Sequence, residues 1–199
     1  MKTKNSYLKI NGWFSRSDHK VYELAVENFA DNSIFVEVGC FMGRSTVAMA
    51  ELIEASNKNI IFYAIDHFEG SSEHKNRPEI KNKKLFEIFS KNTSRVKKFI
   101  KVIKSDSLKA SSKFENNSID FIYIDASHEY EFISQDINFW YPKLKATGWL
   151  TGHDYKWQGV KKAITEFCQK EKNHVENLII YENSWCIKFK KSFKKILLI

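Results

Sequence analysis

The chain has 199 residues, 15% of them aromatic, and a formal net charge of +8; this fits one domain with a large core and excludes wholesale disorder. The basic excess is strongest over residues 75–104 and again over 188–195, which permits an acidic partner, a nucleic acid or an anionic surface but sets no reaction. Three widely spaced cysteines, Cys40, Cys168 and Cys186, argue against a disulfide framework or zinc cluster. With a charged start unlike a secretory signal and no run near the ~20 apolar residues of a spanning helix, they make the cytoplasm the expected location.

Residues 1–16 show little periodicity and are expected to form an arm. From 18 to 29, Val21, Leu24, Ala25 and Phe29 recur at helical spacing. The apolar run 34–38 then meets Gly39 and Gly43 and a helical pattern reaching Ile53, which reads as buried strand, tight turn, helix. Residues 59–65 make a second buried strand ending at Asp66, and strand, helix, strand in this order implies a right-handed parallel unit. The basic stretch 67–98 turns helical through Ile80, Leu85 and Ile88; about 69–98 is assigned as a substrate-side insertion.

A third strand over 99–103 leads to Asp106, a fourth over 119–124 to Asp125, and a fifth over 148–152 to His153 and Asp154. Residues 130–144 are helical as far as Pro142, and 157–168 form a helix with Val160, Ala163, Ile164 and Phe167 on one face. Runs 178–181 and 185–189 lie too close for a crossover and favour an antiparallel hairpin. The basic tail after Phe189 reads as an edge-strand extension or packed terminus. Without repeats or linkers, residues 1–199 are expected to be a single α/β domain.

The turn after the first strand carries the first chemical signal. Gly39 and Gly43 let the backbone take unusual conformations and let a ligand approach, and the following helix begins with free N–H groups that favour an anion. Glu37 is a carboxylate at the end of a buried strand, costly unless paired. A ligand with both an ammonium and a carboxylate answers both features, and S-adenosylmethionine is one. A dinucleotide fingerprint fails because Phe41 stands at its second glycine. A phosphate loop fails because three residues separate the glycines and Arg44 follows.

Five strands end in acids, Glu37, Asp66, Asp106, Asp125 and Asp154, and ligands of open α/β sheets bind outside the carboxyl ends of strands. The run from Phe35 through Gly39 and Gly43 to Thr46, with Asp66 after Ile65 and Asp125 after Ile124, resembles the class I S-adenosylmethionine-dependent methyltransferases, most closely the branch with catechol and sugar O-methyltransferases. The resemblance covers about residues 20–190 and implies a Rossmann-like, seven-stranded, mostly parallel sheet with helices on both faces and an antiparallel last strand. It implies that Glu37, Ser45 and the backbone at Gly39 and Gly43 hold the methionine end. Asp66 would bind the ribose hydroxyls, Phe68 would lie against the adenine, and Asp106 would accept from the adenine amino group. A helix N-cap is the competing role for Asp106.

The segment from Asp125 through His128, with His153 and Asp154 downstream, resembles metal-dependent sugar O-methyltransferases that act on macrolides. It implies His128 as general base with Asp125 beside it, and Asp125, His153 and Asp154 as ligands of a divalent metal such as magnesium. His153 stands where that group has Glu, and imidazole shifts preference towards transition metals. The expected activity is methyl transfer to an oxygen of a sugar or other small polar acceptor, and the expected partner a small-molecule or glycan acceptor. Two rivals share the fold. One is a two-histidine, one-carboxylate iron hydroxylase built from His128 and His153. The other is nucleic-acid ribose methylation; with Pro78 and Pro142 followed by neither Pro nor Cys, base-methylating motifs are missing.

Overall fold

The computed structural model describes residues 3–71 and 74–190, so the expectation for the basic tail lies outside the described residues. Ser15 opens α1 (Arg16–Asn28) with a capping box, its side chain accepting from Asp18 N–H while the Asp18 carboxylate accepts from Ser15 N–H. β1 (Ile34–Val38) feeds α2 (Arg44–Ser56) and β2 (Ile61–Asp66). Residues 67–99 then hold α3 (Pro78–Lys81) and α4 (Leu85–Thr93) before β3 (Ile100–Lys104). The second half runs α5 (Ser107–Ser111), β4 (Ile119–Ile124), α6 (Tyr130–Trp140), β5 (Leu144–Gly152), α7 (Gln158–Lys170), β6 (Val175–Tyr181) and β7 (Ser184–Phe189).

The seven strands form one sheet in the order β3-β2-β1-β4-β5-β7-β6. β1 to β5 are mutually parallel, and β7 lies antiparallel between β5 and β6. The architecture anticipated from the sequence is thus present, including the antiparallel closing strand. The order reverses direction between β1 and β4, which creates the crevice where α/β sheets bind ligands.

Side-chain alternation along each strand divides the core between two faces. Phe35 of β1, Phe62 of β2 and Phe121 of β4 pack with Tyr22, Met49 and Leu52 under α1 and α2. Val36, Ile122 and Leu150 pack with Trp140, Ile164 and Trp185 under α6 and α7. The arm is part of the first core: Tyr7, Ile10 and Phe14 are buried, Glu51 accepts from Ser6 N–H and Oγ, and Arg44 donates to the Ile10 carbonyl at 3.1 Å.

Two strands begin earlier than the apolar pattern indicates. β5 starts at Leu144, directly after a 3-10 turn at Tyr141–Lys143 that accommodates Pro142. Its polar opening is held by Lys145, whose ammonium meets both Asp120 carboxylate oxygens, at 2.9 and 3.0 Å. β6 starts at Val175 because Glu176 and Asn177 lie on the sheet's outer strand, where polar side chains reach water.

Gly39 fixes the crevice. Its N–H donates to the Ile65 carbonyl, its φ is +91°, and a Cβ there would lie 2.2 Å from the Asp125 carbonyl oxygen. The glycine therefore allows the ends of β1 and β4 to touch. Gly39→Ala is expected to lower stability by about 2–4 kcal/mol, read as a lower urea midpoint at unchanged m-value.

Candidate active site

Two neighbouring cavities open at the carboxyl ends of the parallel strands. The larger, about 350 Å³, is walled by Trp13, Arg44, Ser45, Asp125, His128 and Trp157 among others. The smaller, about 80 Å³, is bounded by Asp66, His67, Ser105 and Ser107. Gly39, Phe41, His74, Asp125 and Ala126 border both. Phe41, Phe68 and Asp154, two or three residues past the ends of β1, β2 and β5, have φ of +46°, +60° and +61°. Non-glycine backbone in that region is uncommon and is held here by surrounding packing.

The five strand-end acids do not converge. Glu37 points with Phe35 towards α1 and α2, is buried, and borders neither cavity. Its carboxylate accepts from Tyr22 Oη at 3.0 Å and Thr46 Oγ1 at 2.5 Å, so internal hydroxyls meet the demand that the sequence assigned to a ligand ammonium. Burial pushes its pKa up to about 7 despite hydroxyl bonds from Ser45, Thr46 and Tyr22. Asp106 is exposed and caps α5, accepting from Leu108 and Lys109 N–H, while Ser105 and Ser107 on either side reach the smaller cavity. Phe68 is buried between Phe86 and Phe89 of α4, and its neighbour His67 faces the cavity instead.

Asp66 remains at the cavity wall and ties the glycine turn down. One oxygen accepts from Cys40 and Phe41 N–H at 2.8 and 2.9 Å, and the other accepts from Phe68 N–H at 2.6 Å. Gly43 caps α2 with φ +88°, packed against Phe89 and Thr93 of α4, and Ser45 is the second residue of the helix, at the wall of the larger cavity.

Asp125, His128, His153 and Asp154 do come together. His128 Nε2 meets Asp154 Oδ2 at 2.6 Å, and its ring stacks on Trp157 at 4.8 Å. That stacking depends on Gly159, where a Cβ would lie 2.6 Å from the His128 carbonyl oxygen as α7 starts against the β4–α6 loop. His153 Nδ1 lies 3.0 Å from Asp154 Oδ1 and 3.6 Å from Asp125 Oδ1, while its Nε2 lies 3.3 Å from Asp18 Oδ2. Burial alone would push the His153 pKa down, but bonds to Asp125, Asp154 and Asp18 outweigh it and hold the ring far above its ordinary value. Burial raises Asp125 to about 6 against the pull of His153. For Asp154, burial is outweighed by the bonds from His128 and His153, which hold it well below the carboxylate range.

The His153 Nε2 is shared between Asp18 and the Asn183 side-chain nitrogen, each at 3.3 Å. Among the described residues, the group whose ligand atoms lie within 4.8 Å of one another is Asp125, His128 and Asp154. His128 is in that group and His153 is not, whereas the resemblance assigned His153 to the metal and His128 to the proton. Asp18 was missed: its capping box was visible from Ser15, but not its link to His153 or the Ser184 hydroxyl it accepts. Asn183 Nδ2 also donates to Asp154 Oδ1 at 3.0 Å.

A glycine-lined crevice at this strand reversal, in a seven-stranded sheet closed by an antiparallel strand, defines the class I methyltransferase fold. The family model described as "Methyltransferase domain" matches residues 36–155; the chain belongs to that family and is a class I S-adenosylmethionine-dependent methyltransferase. It is similar in fold to the O-methyltransferase NovP, at 14% identity over 86% of this chain and 79% of that one, with a TM-score of 0.63. The O-methyltransferase from Bacillus cereus in complex with SAH is similar at 15% identity over 94% and 87%, TM-score 0.62. Uncharacterized protein R132 of Acanthamoeba polyphaga mimivirus is 27% identical over 158 residues; the match takes in 77% of this chain and 66% of that protein's length. No helix among the described residues is long and apolar enough to cross a membrane.

Glu37 carries a pH signature. Its carboxyl holds a proton more tightly folded than unfolded, so stability present at low pH is lost as pH rises from the ordinary carboxylate range through about 7. The stability of the native chain relative to Glu37→Gln is expected to fall by about 2–3 kcal/mol between pH 4.5 and 8, measured by urea unfolding across that range.

Proposed function

We propose that the chain transfers the methyl group of S-adenosylmethionine to an oxygen of a sugar or other small polar acceptor. The observation that carries this reading is the meeting of Asp125, His128 and Asp154 in the wall of the larger cavity, next to the glycine turn. In it, the cofactor lies along the turn with its ribose hydroxyls towards Asp66, and the acceptor enters beside Trp157 and Trp13.

A neutral hydroxyl is a poor nucleophile, and removing its proton as it attacks the sulfonium methyl lowers the barrier. His128 is the group assigned to that proton. Asp154, paired with Nε2 at 2.6 Å, fixes the ring's orientation, and Trp157 holds its face. His153 balances the charge of Asp125 and Asp154, keeping two carboxylates close without mutual repulsion.

The same donor set fits a divalent cation, with one atom from each of Asp125, His128 and Asp154; an imidazole whose lone pair is on the ion does not take the acceptor's proton, so this arrangement is an alternative to His128 as base. When bound, such an ion would lower the pKa of the acceptor hydroxyl. The one-nitrogen, two-oxygen set accommodates manganese or a later transition metal as readily as magnesium.

Titration calorimetry with S-adenosylhomocysteine is expected to show binding that Asp66→Ala weakens at least about tenfold, a loss of ~1.4 kcal/mol; absence of binding overturns the cofactor assignment. With labelled cofactor and a panel of nucleotide-sugars and oligosaccharides, His128→Ala is expected to lose turnover by about a hundredfold or more at unchanged cofactor affinity. Turnover that survives the substitution removes His128 from the role of base. Metal analysis and chelation of the active enzyme decide whether the ion takes part.

A further inference from the structure

The catalytic crevice uses little of the chain's positive charge. Residues 75–104 hold eleven of its 32 Lys and Arg but two of its 24 Asp and Glu, so that this stretch carries +9 and the rest of the chain −1. In the fold it becomes one flank: α3, α4, the turn before β3, and β3 itself, the outermost strand at that side of the sheet. Among the described residues its ion pairs are those of Arg77 with Glu79 and of Arg95 with Glu51 and Glu54. The lysines of the flank are exposed.

Three of these lysines are held over aromatic rings. Lys98 Nζ lies 4.7 Å from the Phe99 centroid, Lys101 Nζ 5.4 Å from Tyr63, and Lys104 Nζ 5.0 Å from Phe86. Alternation along β3 sends Lys101 to the Tyr63 face and Lys104 to the Phe86 face, so cations stand on both sides of the strand. Phe86 is itself 38% exposed.

We propose that this flank binds single-stranded nucleic acid, independently of which acceptor the crevice takes. A polyanion is called for by the charge, since no other part of the chain balances it. The lysines match the phosphates of such a strand and the exposed Phe86 ring offers a face to a base, while the half-buried Tyr63 and Phe99 hold their lysines in place. An anionic bilayer would favour an apolar face to insert, and this flank has none: Leu85 and Phe89 of α4 point inward, leaving Phe86 and Val102 as its large exposed apolar side chains.

The test is fluorescence anisotropy of the full chain with a labelled mixed-sequence RNA of about 20 nucleotides, over salt from about 50 to 300 mM. Binding is expected, weakening linearly in log salt. The charge reversal K98E/K101E/K104E should reduce affinity at least about tenfold and flatten the log–log slope by about 2. K81E/K83E/K84E, in the α3–α4 turn, is an independent second variant should the strand variant fail to fold by circular dichroism. K161E/K170E on α7, across the sheet, should change affinity less than about twofold. The proposal is overturned if RNA is not bound at the lowest salt, or if phosphatidylserine vesicles are bound and RNA is not. It also fails if the flank variants bind RNA like the native chain, including the case in which they self-associate at unchanged RNA affinity, because the lysines would then only keep the outer strand from pairing.

Discussion

The candidate site depends on one buried histidine. Asp18 from α1, Asp125 from the end of β4 and Asp154 from the end of β5 all turn towards His153. Three carboxylates this close, Asp18 and Asp154 buried and Asp125 half-buried, would without a cation repel one another and carry a desolvation cost. With His153 among them they become a strut joining the first helix to the middle of the sheet. The surroundings also fix the ring: Trp185 Nε1 donates to the His153 carbonyl at 3.0 Å, and Ser184 donates to Asp18.

What the sequence revealed follows from burial. β1 and β4 are buried along nearly their whole length, and their apolar β-branched runs could be read directly. The polar openings of β5 and β6 could not, because Lys145 and Asn177 take part in strands only through partners supplied by the fold. The succession of strands along the chain and the closing hairpin were legible. The parity of a single residue's side chain was the weaker inference: Glu37 sits at a strand end yet points with Phe35 into the helices, as period-two alternation requires.

The cavity wall was legible in part. Asp125, His128, His153 and Asp154 were identified from two short segments, and the fold does bring those segments together. Their full set of partners was not visible, because Asp18, which faces the far nitrogen of His153, is far away in sequence and disguised as a helix cap. Asp106 shows the reverse case. An acid in the expected place is engaged by the first turn of its own helix, and the serines beside it reach the cavity instead.

The closing strand has a consequence for how the molecule is made. β7 is the last of the seven strands in chain order, yet it is inserted between β5 and β6 and supplies Ser184 to Asp18 and Trp185 to His153. A nascent polypeptide still holding residues 184–189 in the ribosomal tunnel has β5 exposed on one edge and its histidine strut unfinished. Assembly of the cavity wall is therefore tied to release of the final strand from the ribosome, and β5 passes through a stage in which its unsatisfied edge must be shielded from other chains.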